Sequence, residues 1–136
     1  MAELRRAAVR VTGVFASPEA CDRLLEANRI APDEAMVLGE PPEGLEAAVH
    51  ELDPDALVLD VTDGWSLLEL HGPDAREAFA RISELDLPER GLVLGEVARV
   101  GVRVVAEADR LRLLVPAMWA EHVCERILAD AAELLR

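Results

Sequence analysis

Ala56-Leu-Val-Leu-Asp-Val-Thr-Asp-Gly-Trp-Ser-Leu-Leu-Glu-Leu-His-Gly-Pro-Asp74 is the stretch on which the reading of the fold turns. Two apolar, β-favouring runs, Ala56 to Val61 and Trp65 to Leu70, flank the polar break Thr62-Asp63-Gly64, and this pattern predicts a β-hairpin. The second arm runs directly into a helix start. Gly72 frees the backbone to leave the sheet, Pro73 suits the first helical position because its missing N–H would be orphaned there, and Asp74 sets a negative charge against the helix dipole. The helix is predicted from Pro73 to about Ser83, with Ala75, Phe79 and Ile82 facing inward.

Upstream, Ala7 to Phe15 alternates apolar and polar residues and reads as a strand. Ser17-Pro18-Glu19 supplies an N-cap, a proline and a first-turn acid, and Ala20, Leu24, Leu25 and Ala27 mark a helical face to about Asn28. Ala35 to Leu38 is a short strand closed by Gly39-Glu-Pro-Pro42, after which Leu45, Val49 and Leu52 repeat at helical spacing until Asp53-Pro54. Downstream, Glu84 to Gly91 is a loop dipping inward at Leu85 and Leu87. Leu92 to Ala106 reads as one long strand kinked at Gly95 or Gly101. Glu107-Ala108-Asp109 turns back to a partner strand, Leu111 to Val115. Pro116 opens a terminal helix with Trp119, Val123, Ile127, Ala131 and Leu134 in three- and four-residue steps.

Val11-Thr-Gly13 followed by Pro18-Glu-Ala-Cys-Asp-Arg-Leu echoes Leu70-His-Gly72 followed by Pro73-Asp-Ala-Arg-Glu-Ala-Phe. One reading is a single domain of two diverged ferredoxin-like split β-α-β units, residues 1–53 trimmed and 54–136 complete. The other is chance similarity within a small α+β protein. The first predicts an α+β fold, mainly antiparallel, with helices packed on the sheet.

The 136 residues suffice for one core without disulfides, and no apolar run reaches the roughly 18 residues of a membrane span. Met-Ala-Glu-Leu-Arg-Arg has no apolar core or cleavage-like site behind it, so a cytoplasmic location is expected. Fourteen basic residues, all Arg, against 27 acidic ones give a net charge of −13, which repels phosphate backbones and anionic lipid. Nucleic acid and membrane are therefore not expected partners. The acidity fits either a solubilising surface or a surface shaped for a basic partner.

Cys21 and Cys124 lie apart among apolar neighbours and read as small buried hydrophobes, outside any zinc spacing. His50, His71 and His122 are scattered and read as structural or solvent-facing. Asp60 and Asp63 bracket the Thr62 break, and turn-forming hydrogen bonds are favoured for them over acid/base work. Gly91-Leu-Val-Leu-Gly95 matches no phosphate loop, and Ser17, Ser66 and Ser83 have no nucleophile context. No catalytic residue or metal ligand is assigned. Trp65 and Trp119 are candidates for a partner interface; core packing is the preferred fate of Trp119, while Trp65 stands evenly between the two.

Leu57-Val-Leu-Asp-Val-Thr-Asp63, Leu67-Leu-Glu-Leu-His-Gly-Pro-Asp-Ala75, Leu85-Asp-Leu87, Leu111-Arg-Leu-Leu-Val-Pro116 and the upstream Ala35-Met-Val-Leu-Gly-Glu-Pro41 together resemble the gamma subunit of heterotetrameric sarcosine oxidase. That family is related to the folate-binding-like domain of glycine-cleavage T-proteins. The resemblance runs from about Ala35 to Leu135, and its most specific part is the Gly72-Pro73-Asp74-Ala75 corner. It implies two ferredoxin-like units and membership of a flavoenzyme complex that oxidises an N-methylated amino acid and passes one carbon to folate.

In that setting flavin and tetrahydrofolate belong to larger oxidase subunits, and this chain, binding no cofactor alone, is a non-catalytic accessory component. The sequence departs from the pattern in three places. The chain is short, and after Gly39 it enters Pro-Pro and a helix where the family continues a strand, with loss of a sheet edge as the expectation. Arg99-Val-Gly-Val-Arg103 lacks the acidic pair that T-proteins turn toward folate, and no Lys-Gly-Cys-Tyr motif occurs. No cofactor-binding residue is carried over. Two other functions fit the same chain: a T-protein-like folate- or one-carbon-binding domain, and a homo-oligomer formed by edge pairing.

Overall fold

A computed structural model describes all residues except 25–27. In chain order the elements are β1 (Glu3–Ala7), β2 (Val11–Phe15), α1 (Pro18–Leu24), β3 (Arg29–Ala31), β4 (Glu34–Leu38), α2 (Leu45–Leu52) and β5 (Leu57–Asp60). After a 3-10 turn over Thr62–Gly64 come β6 (Trp65–His71), α3 (Ala75–Ala80), β7 (Gly91–Val97), β8 (Val100–Ala106), β9 (Arg110–Pro116) and α4 (Ala120–Asp130). The fold is α+β and antiparallel, as the sequence predicts, but its strands form two sheets rather than one shared sheet. The chain divides into two compact units: Val9–Thr62, and Met1–Ala8 together with Asp63–Arg136.

Val9–Thr62 runs β-α-β-β-α-β, with strand order β3-β4-β2-β5. This is a split β-α-β pair: β2 lies between β4 and β5 and is antiparallel to both. All four strands are present, and they are short rather than missing. The sequence reading did not anticipate β3. Alternation sorts the sheet, so that Val14 and Ala35 face inward with Ala20, Cys21, Leu45 and Val49 of the helices. Ser17 caps α1 as expected, its Oγ accepting from the Ala20 N–H at 3.3 Å. Leu25 and Ala27, predicted for the same helix face, lie outside the described residues.

The other unit has strand order β1-β6-β9-β8-β7. Here β6, α3, β8, β9 and α4 reproduce the same plan, β7 is an added edge, and the last position is filled by β1 from the start of the chain. Ala2 donates to the Leu134 carbonyl at 2.7 Å and accepts from the Arg136 N–H at 3.0 Å, so both ends of the sequence meet in this unit. Its core combines Leu68, Leu70, Leu111, Leu113, Phe79 and Ile127. Burying a side chain of the size of Phe79 contributes about 2–3 kcal/mol.

The predicted hairpin across Thr62-Asp63-Gly64 is corrected: β5 pairs with β2, whereas β6 pairs with β1 and β9. Gly64 does not adopt the positive φ that a tight hairpin turn demands. Instead Asp60 Oδ1 accepts from the Thr62 N–H at 3.0 Å, winding the break into a 3-10 turn at which the chain leaves one unit for the other. The predicted single strand from Leu92 to Ala106 is, conversely, a hairpin. β7 and β8 pair from Gly91↔Ala106 to Val97↔Val100, and Ala98 and Arg99 both have positive φ (50° and 68°). Ala7 to Phe15 is likewise two strands, divided at residues 8–10.

The Gly72 corner is present as read, with α3 starting at Ala75 rather than Pro73 and ending at Ala80. Ala75, Phe79 and Ile82 are all buried, as their spacing predicts. Leu85 and Leu87 pack on the core as expected of a loop that dips inward. Gly95 marks no kink; a Cβ there would fall 2.7 Å from Leu85 Cδ1, so its bare backbone makes room for that side chain.

Candidate interaction surface and ligand cleft

The two tryptophans come to the same end of one sheet. Trp65 heads β6 opposite Pro116, the last residue of β9, and the chain then makes a 3-10 turn over Ala117–Trp119. Trp65 is partly buried, with Arg103 Cζ over its ring at 4.3 Å from the centroid, a cation–π distance. Trp119 is 47 % exposed and Met118 82 %, so the core role predicted for Trp119 is corrected. A 3-10 turn advances three residues per turn rather than 3.6. That slips Trp119 out of phase with Val123 and Ile127, on the buried face of α4, and with the buried Ala131 that ends it. Its ring instead stands edge-on to His122, 6.2 Å between centroids, and His122 Nε2 lies 3.1 Å from the Ala98 carbonyl.

The other residues weighed for chemistry have structural contacts. His50 Nε2 is 2.8 Å from the Ala56 carbonyl and His71 Nε2 is 2.9 Å from Glu69 Oε2. Burial pushes the thiol of Cys21, and that of Cys124, above the ordinary range, which disfavours the reactive thiolate. Asp60 acts as a turn residue. Hydrogen bonds from the Thr62 hydroxyl and then from its backbone hold the Asp60 carboxyl below its usual range, keeping it ionised. Asp63 is exposed. Among the described residues, no group of three or more His, Cys, Asp or Glu could hold a metal ion. Nor is any described helix long and apolar enough to cross a membrane.

Within Val9–Thr62 a cleft of about 250 Å³ opens beside the start of α2, walled by Thr12 and Val58 of the sheet and by Pro41, Pro42 and Leu45. Gly44 precedes α2 without a side-chain cap; Leu45 donates to Pro42 and Ala48 to Gly44, leaving the N–H groups of Glu46 and Ala47 unused. Thr12 is 3 % exposed and its Oγ1 has no hydrogen-bond partner among the described residues, although buried hydroxyls are ordinarily paired. Arg10 at the rim bonds Glu40 at 3.1 Å and approaches Asp60 at 3.5 Å. Sequence reasoning missed this cleft, because Thr12 reads as an ordinary polar strand position and only the fold brings α2 over it.

No family model and no curated protein matches the chain. Among solved structures, a chain of the heterotetrameric sarcosine oxidase from Corynebacterium sp. U-96, determined in complex with pyrrole 2-carboxylate, has a TM-score of 0.79. The match covers 97 % of this chain and 84 % of that one at 18 % identity. The two share a fold, and the fold implied by the sequence resemblance is the one found. Aspartokinase III from E. coli, in complex with aspartate and ADP, overlaps with a TM-score of 0.47 and 14 % identity over 95 % of this chain and 32 % of that one, too weak a likeness to argue from.

Proposed function

We propose that this chain is a non-catalytic accessory subunit of a sarcosine oxidase-like complex, bound to larger flavoprotein subunits that oxidise an N-methylated amino acid. The observation that carries the reading is the near end-to-end fold match to one chain of such a heterotetramer, a chain only modestly longer than this one. In this reading flavin and tetrahydrofolate stay with the larger subunits, the assembly is cytoplasmic, and the acidic surface faces basic ones. The structural contacts of the histidines and of Asp60 support a role without chemistry of its own. Exposed Met118 and Trp119, beside Trp65, supply the large apolar side chains that anchor interfaces.

Affinity purification of the tagged chain from its native host tests the proposal. The expected result is co-recovery of a flavin-containing subunit, with Trp119→Ala weakening the association by about 2 kcal/mol, the scale of an interface anchor. Recovery of the bare chain, or of a homo-oligomer alone, would refute it.

A further inference from the structure

The cleft at the start of α2 joins three features that ordinary folding leaves unexplained. An uncapped eight-residue helix presents the free N–H groups of Glu46 and Ala47, a geometry that attracts negative oxygen. Thr12 lines the same cleft, nine-tenths buried and without a hydrogen-bond partner. Around these donors the side chains carry more negative than positive charge. Arg10 is already engaged by Glu40 and Asp60, and the Glu46 carboxylate lines the cleft as well. A simple anion would be drawn to the helix end and repelled by these carboxylates; a ligand bearing both signs is not. The remaining walls, Pro41, Pro42, Leu45 and Val58, are apolar. A volume of about 250 Å³ falls below the roughly 300–1,000 Å³ of sites for drug-sized ligands.

We propose that this cleft binds a free α-amino acid with a small apolar side chain. Its carboxylate takes the Glu46 and Ala47 N–H groups and the Thr12 hydroxyl, and its ammonium group faces the carboxylates of Glu46 and Asp60. The site lies wholly within Val9–Thr62 and does not depend on the accessory role proposed above.

The test is amide chemical-shift titration of the full chain with L-valine, with 3-methylbutanoate (the same skeleton without the amino group) and with isobutylamine (without the carboxylate). L-Valine is expected to move the amide signals of Thr12, Glu46 and Ala47 saturably, and each single-charged analogue to bind at least about tenfold more weakly. Thr12→Val is expected to weaken L-valine binding about tenfold while keeping native amide dispersion, and the exposed Glu46→Gln to weaken it comparably. Equal binding of L-valine and 3-methylbutanoate, unmoved Glu46 and Ala47 signals at the highest L-valine concentration, or full affinity in Thr12→Val would overturn the proposal. Should Thr12→Val lose its fold, undiminished affinity in Glu46→Gln would overturn it equally.

Discussion

Gly72 has φ of +109°, and a Cβ at that position would lie 2.6 Å from the Met1 carbonyl oxygen. Both the backbone angle and the close approach exclude a side chain, so Gly72→Ala is expected to destabilise the protein by about 2 kcal/mol or more in urea unfolding. Thr12 predicts the opposite sign. Its hydroxyl is buried and unpaired, so without ligand Thr12→Val is expected to be more stable than the parent by about 1 kcal/mol on the same measurement. The two positions differed in legibility. The Gly-Pro-Asp corner announces itself because each of its residues is specialised for leaving a sheet and entering a helix. Threonine in a strand is unremarkable until its surroundings are known.

Among the elements, one predicted hairpin and one predicted unbroken strand failed for complementary reasons, while the β8–β9 hairpin across Glu107-Ala108-Asp109 is found as read. Alternation locates strands but does not say which strand pairs with which, and Gly64 suggested a turn whose backbone it does not adopt. The true hairpin turns on Ala98-Arg99, residues without the usual tolerance of positive φ, so no local signal marked it. A second link between elements was equally silent. Arg76 Nη2 of α3 lies 3.0 Å from each of the Pro88, Glu89 and Glu107 carbonyl oxygens, which share its two hydrogens, fastening the loop before β7 and the end of β8 to the helix. Arg76→Ala is expected to cost about 2 kcal/mol of stability and to raise proteolytic cleavage between Leu85 and Gly91. At the β8–β9 turn, Arg110 and then Arg112 hold the Glu107 carboxyl below its ordinary range. A carboxyl lowered in the folded state stabilises fully above the usual carboxylate range and loses that contribution as pH falls through its depressed value. Glu107→Gln is therefore expected to flatten the acid side of a melting temperature against pH profile, and an unchanged profile would count against the pairing.

At the scale of the whole molecule, the α+β class, the antiparallel character and, Trp119 apart, the core faces of α2, α3 and α4 were legible, because periodicity records which side of each element is buried. The doubling of the fold was visible only as a faint echo, the Gly13 and Pro18 stretch against the Gly72-Pro73 corner, because the strands of the two units differ in length and composition. What no pattern could reveal is that β1 belongs with β6, a partner lying beyond an entire intervening unit. This arrangement fixes an order of events during synthesis. Residues 9–62 hold every strand of their own sheet and can close as soon as they clear the ribosome, whereas β1 must wait, unpaired, until β6 has been translated. The β1 segment thus settles after residues 9–62 can, and a nascent chain halted near Thr62 should carry one finished sheet beside an unpaired β1.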